Sequence, residues 1–195
     1  MAIILSYQIK HQTKKIKIMA TTKWVLDPTH SEIGFKVKHL MVTNVSGNFT
    51  NFSVTADTTK EDFSDAAINF TADTTSVTTN NEQRDGHLKG ADFFDAEKYP
   101  TITFKGTKFE KVDDEEYELT GDLTVKNETK PVKLKVEFGG IAKDPWGNTK
   151  AGFTLSGKIN RKEFGLNWNA ALETGGVLVS DDVKIHAEIQ LTKAA

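Results

Sequence analysis

The chain has 195 residues, a formal charge of −2 and no cysteine. That length suits one domain that buries its core without staples, and the missing thiols exclude disulfides and thiolate metal sites. The near-neutral charge carries no nucleic-acid signature and no apolar run approaches the roughly 20 residues of a spanning helix, so neither nucleic acid nor stable membrane insertion is expected.

Residues 1–20 read as an extension outside the fold. A short apolar patch at Ala2–Leu5 precedes Lys10, Lys14, Lys15 and Lys17, the reverse of a secretory signal, in which basic residues come before a long apolar run. Met19 is a candidate start, because patterned sequence begins near Lys23. Disorder or a mis-assigned start is the preferred reading, with a basic arm on anionic lipid as the alternative. With no readable signal, the expected location is the cytoplasm.

The remainder, residues 21–195, reads as a single domain whose dominant signal is alternation with period two. In chain order the dry positions are Ile33, Phe35 and Val37, then Phe52, Val54 and Ala56, then Ile68, Phe70 and Ala72, then Ile102 and Phe104. Tyr117, Leu119, Gly121, Leu123 and Val125 follow, then Val132, Leu134, Val136 and Phe138. Ala151, Phe153, Leu155, Gly157 and Ile159, then Val183, Ile185, Ala187, Ile189 and Leu191, complete the set. Between the strands lie turn residues: Asp113-Asp114, Gly139-Gly140, Asp144 to Asn148, and Gly175-Gly176. One segment breaks the pattern. Thr79 to Glu82 has capping-box spacing, Gln83 to Lys89 reads as a short helix that Gly90 ends, and Ala91 to Lys98 could add a further turn. Nine or ten strands with one dry face each must close into a barrel or stack as a sandwich.

Several blocks resemble the YceI family. They are Trp24 to Ser31 with Ile33 to Leu40, Gly47 to Phe49, Arg84 to Leu88, Asp92 to Asp95, Tyr99 to Phe104, Gly121 to Val125, Thr129 to Val132, and Asn160 to Leu166. The family pattern has a glycine-containing turn where this chain has Lys126-Asn127-Glu128. The resemblance implies an all-β fold, an antiparallel up-and-down lipocalin-like barrel with a short helical insertion around residues 79–95. It further implies that an elongated tunnel binds a polyisoprenoid, such as a polyprenyl phosphate or an isoprenoid quinone. Many members of the family are exported, which makes the periplasm the alternative location.

The chain has 12 phenylalanines, and a barrel of about eight strands is just wide enough to be filled or to hold one ligand. Phe35, Val37, Phe52, Phe70, Phe104, Leu123, Phe138, Phe153, Phe164 and Trp168 are the candidates for the dry face, as core packing or as tunnel lining. The only arginines are Arg84 and Arg161. A guanidinium suits a carboxylate or phosphate, so Arg84, Arg161 and the nearby His87 are head-group candidates. The plainer expectation is an ion pair for each arginine, for example Arg84 with Asp85 or Asp92. His30 is expected to close a turn, and Asp27 and Asp95 to serve as turn or cap residues. The histidine spacing suggests no metal site.

These observations favour binding, storage or transport of an isoprenoid lipid, with no catalytic residue and no cofactor beyond that ligand. Two alternatives remain. One is an enzyme acting on a lipid-like substrate in the same cavity, for which His87 with Asp85 is the acid–base candidate. The other is a ligand-free interaction protein. Exposed strand edges or a tunnel mouth would also allow a homodimer.

Overall fold

The alternating segments become strands. Among the described residues these are β1 Thr22–Leu26, β2 Glu32–His39, β3 Thr43–Phe49, β4 Phe52–Thr58, β5 Ala67–Asp73 and β6 Val77–Thr78, followed after helix α1 Glu82–Lys89 by β7 Thr101–Lys111, β8 Glu116–Val125, β9 Glu128–Lys143, β10 Thr149–Asn160 and β11 Val179–Lys193. The computed structural model describes residues 20–172 and 176–194. The expected extension through Met19, and Gly175 of the expected Gly175-Gly176 turn, lie outside the described residues.

All strand pairings are antiparallel. β1, β4, β5, β7, β8, β9, β10 and β11 follow one another in hydrogen-bonded order, and β11 returns to β1. The result is a closed eight-strand barrel rather than a sandwich. Its dry face points inward, with Phe104 opposite Leu123 and Leu119 opposite Leu134. The core also draws residues from outside the strands, Phe93, Phe164 and Leu166 among them. Phe63, in the polar β4–β5 connection, is 1% exposed. Its ring packs on Trp24, Phe138 and Phe153 with centroids 5.1, 5.7 and 5.0 Å away.

The barrel wall forks at Asp27. β1 and β2 lie end to end along one edge of β11, Trp24–Leu26 against Lys193–Leu191 and Glu32–His39 against Glu188–Val179. Between them the chain bulges into a 3-10 turn, Pro28–His30. β1 carries β4 on its other edge, whereas β2 carries β3, which in turn carries β6. The ring is therefore tight on the β1 side and splayed on the β2 side.

Asp27 pins this fork. Its carboxylate accepts from the Lys150 ammonium at 2.8 Å, the Gln190 amide at 3.0 Å and the Thr29 hydroxyl at 2.7 Å, and lies 3.1 Å from His30 Nδ1. His30 thus closes the turn and Asp27 caps it. Lys150 foremost, then Thr29, hold this carboxyl well below the usual carboxylate range against the opposing effect of burial. A carboxyl depressed on folding stabilises the native state above its unfolded value of about 3.9, and that contribution drains away as pH falls below it. Asp27→Asn is expected to cost about 1–2 kcal/mol at neutral pH. The difference from wild type should shrink in acid, as read by urea unfolding at neutral pH and near pH 3. A gap that stays constant would remove Asp27 from the acid response.

Three local expectations change. The cap of α1 is Asn81, whose side chain accepts the Arg84 amide at 2.9 Å, and not Thr79. Thr79 is instead held by Asp85, its amide donating to that carboxylate at 2.7 Å. Ala91 to Lys98 folds as successive turns rather than helix, with Asp95 at φ 50°, a left-handed position that interrupts helical hydrogen bonding. Gly139 and Gly140 are not a turn. They lie inside β9, where Gly140 at φ 91° accompanies a register shift opposite Gly152 and Phe153, the geometry of a β-bulge. At the β8–β9 connection, Lys126 takes the left-handed position at φ 57° without glycine.

Candidate functional site

The splayed end of the barrel encloses an apolar cavity of about 690 Å³, and a second of about 120 Å³ lies in the closed ring. Ile33, Phe70, Leu123 and Ile185 border both, so the two are neighbouring chambers. The outer chamber is walled by β2 and β11, roofed by α1 and the turn bearing Phe93 and Phe94, and flanked by the segment from Phe164 to Trp168. That last wall is set by a short 3-10 turn, Arg161–Phe164. Asn160 caps it, and Gly165 reverses the chain at φ 72°.

Of the expected lining residues, Phe35, Val37, Phe164 and Trp168 border the outer chamber and Phe104 and Phe153 the inner one, while Phe70 and Leu123 stand between. Phe52 and Phe138 border neither. Phe52 packs on Phe70 at 6.4 Å, and Phe138 stacks on Phe153 at 5.1 Å and meets Phe63 and Tyr117 edge-on. These two sit in the aromatic packing beside the cavities, each behind a ring that does border one. The sequence reading missed His39, Val45, Phe49 and Leu166 of the outer wall. Alternation through Val45, Gly47 and Phe49 was the available signal for β3.

Arg84, His87 and Arg161 all border the outer chamber but differ in what holds them. The Arg84 guanidinium donates through Nε to the Thr79 hydroxyl at 2.7 Å and through Nη2 to the Thr79 carbonyl at 3.0 Å. No carboxylate lies within 4 Å of it among the described residues, so the expected pairing with Asp85 or Asp92 is not made. Asp85 serves Thr78 and Thr79 instead; burial pushes its carboxyl up, and the Thr79 and Thr78 hydrogen bonds outweigh this and hold it low. His87 Nε2 meets Asp92 at 3.0 Å, so the candidate pair of the enzyme alternative, His87 with Asp85, is not formed. Its ring stands edge-on to Phe93 and Trp168, with centroids 5.0 and 4.8 Å away.

Arg161 is 2% exposed. It donates to the carbonyls of Ser180 at 2.9 Å, Trp168 at 2.8 Å, Val179 at 3.4 Å and Leu166, and pairs with Asp181 at 3.5 Å. Burial pulls its pKa below the ordinary guanidinium value, and Asp181 opposes that. A guanidinium has five N–H donors; four are spent on these carbonyls, all three nitrogens are engaged, and Asp181 adds an ion pair without a hydrogen bond. Arg161 therefore ties the Phe164–Trp168 wall to β11, which leaves Arg84 as the arginine at the chamber with a nitrogen, Nη1, that is unengaged among the described residues. The chamber can take an apolar chain with one polar end.

A model of the YceI-like domain matches residues 24–191. A UPF0312 protein of Staphylococcus epidermidis is 41% identical over 172 residues, 88% of this chain and 98% of that one. The crystal structure of a Campylobacter jejuni YceI protein superposes with a TM-score of 0.70 at 37% identity, covering 87% of this chain and 97% of that one. A polyisoprenoid binding domain from Saccharophagus degradans superposes at 0.62 with 13% identity, over 88% and 98% of the two chains; at that identity the likeness is one of fold. With the match running from β1 into β11 and relatives at this identity covered almost end to end, the chain belongs to the YceI-like family.

Proposed function

We propose that the barrel binds one isoprenoid lipid, tail inward and head beside Arg84 and His87, and stores or carries it. The observation behind this reading is a two-chambered apolar cavity whose polar rim holds a guanidinium with no carboxylate beside it among the described residues. A phosphate or quinone oxygen would find charge-assisted donors there. The Saccharophagus protein's description as a polyisoprenoid binding domain supports the same class of ligand. Burying a five-carbon unit gains about 4 kcal/mol against water, but the competing site is a bilayer, so the net preference is small and suits a carrier. His87 and Asp85 are each engaged by other groups, which favours a binder over an acid–base enzyme.

Organic extraction of the purified protein, followed by mass spectrometry, should yield a stoichiometric prenyl lipid, or the protein should take up added polyprenyl phosphate or quinone. Neither result would end the proposal. Arg84→Met should weaken polyprenyl phosphate binding by about 10- to 100-fold in a titration, with less effect on a quinone. Equal loss for both ligands would remove Arg84 from head-group recognition.

A further inference from the structure

The β2–β3 hairpin ends in Leu40, Met41 and Val42, which are 43%, 57% and 77% exposed. The Val42 amide donates to the His39 carbonyl at 3.1 Å, and Leu40 and Met41 sit at φ 53° and 58°. This is a type I′ turn, ordinarily made by Asn-Gly because left-handed backbone crowds a Cβ. Here two large apolar side chains occupy it and face water. Neither they nor Val42 join the core cluster, so packing gives no reason for them.

Their position does. His39 and Leu178 border the outer chamber, and the Leu40 amide donates to the Leu178 carbonyl at 2.8 Å, so the tip stands at the chamber's edge. Behind it, on the outer face of the barrel, Lys36, Lys38 and Lys184 are exposed. Lys36 lies directly opposite Lys184, a like-charge pairing that is unfavourable unless an anion answers it. None of the three has a carboxylate within 4 Å among the described residues, and the neighbouring Asp181 and Asp182 are engaged by Lys162 and Lys158 at 2.9 and 3.0 Å. At about 3.3 Å per residue, Lys38 stands roughly 7 Å and Lys36 roughly 13 Å behind Leu40. Apolar elements resting at a bilayer surface sink about 5–10 Å, which brings such lysines to the head groups.

We propose that the Leu40–Val42 tip docks the mouth of the outer chamber on an anionic lipid bilayer, so that the bound lipid exchanges with the membrane there without crossing water. This rests on the reading that the chamber takes an isoprenoid. The full chain is sedimented with vesicles of phosphatidylcholine and phosphatidylglycerol. Leu40→Asn with Met41→Gly installs the preferred turn pair, so the melting temperature should hold or rise while vesicle binding falls about tenfold. Lys36→Glu with Lys38→Glu should abolish the preference for these vesicles over phosphatidylcholine alone. When the vesicles carry a quinone with a short prenyl tail, its transfer to the turn variant should slow by a similar factor, although both proteins hold equal quinone loaded from ethanol. Sedimentation unchanged by either double variant, or equal transfer rates, overturns the docking. A concentration-dependent dimer that the turn variant abolishes also overturns it and assigns the tip to a second copy. Failure of the wild type to hold quinone from ethanol overturns the lipid reading instead, and sedimentation alone then judges the tip.

Discussion

Arg161→Met should lower stability by about 3–5 kcal/mol, the range for removing one member of a buried, hydrogen-bonded charge cluster. Methionine roughly fills the stem's space but offers no donor. The carbonyls of Ser180, Leu166, Trp168 and Val179 then lose their partner, and Asp181 loses one of its two cations. Each buried acceptor left unpaired costs about 1–3 kcal/mol, with relaxation and water entry recovering part of the sum. At about 2–4 °C per kcal/mol for a domain of this size, the melting temperature should fall by roughly 10 °C. Arg161→Lys should recover little, because three donors on a point charge cannot span a planar cage. The same variant separates clamp from ligand contact. A clamp predicts that both prenyl phosphates and neutral quinones bind less well, because the Phe164–Trp168 wall loosens for either. A head-group contact would weaken the phosphate alone, with stability near wild type.

That cage explains why the sequence suggested a carboxylate pair and only partly found one. Arg161 does meet Asp181, but its main acceptors are backbone carbonyls, and no residue type announces a free carbonyl. Strands were legible wherever one face stays wet, as along Val183 to Leu191, because alternation is the direct imprint of that asymmetry. Closure was not. It depends on Trp24 meeting Lys193 across nearly the whole chain, and pairing at that separation leaves no local signature. The fork at Asp27 was visible only as a turn. Its consequence, a wide chamber on the β2 side, arises because Gln190 anchors both arms, its carbonyl accepting the Asp27 amide at 2.8 Å and its amide donating to the Ser31 hydroxyl at 2.9 Å. Phe63 was lost for the opposite reason: it lies among Lys60, Glu61, Asp62, Ser64 and Asp65, a polar run that reads as loop although its one aromatic side chain is turned into the core. Phe52 and Phe138 had the correct inward facing, but facing alone does not place a ring on a cavity: Phe138 and Phe153 stack on each other, and Phe153 borders the inner chamber while Phe138 does not.

Leu123→Phe should shut the inner chamber off from the outer one and make the protein select for shorter chains. Leu123 borders both cavities and is 8% exposed, and its register partner Phe104 lines the inner chamber. A phenyl ring there projects toward Phe70 and Ile185, which share the same partition. Overpacking costs about 1–3 kcal/mol, which a domain of ordinary stability tolerates. The ligand effect should be larger. If the partition shuts one five-carbon unit out of the inner chamber, about 4 kcal/mol of burial is lost, nearly a thousandfold in affinity measured from water. A homologue too short to reach the partition loses nothing. The ratio of long- to short-chain affinity is therefore the readout, and co-purified lipid should shift to shorter tails in parallel. Leu123→Met, which nearly conserves volume, should move neither quantity. An unchanged ratio in a folded Leu123→Phe protein would mean that the tail stops in the outer chamber and that the inner cavity is a packing void.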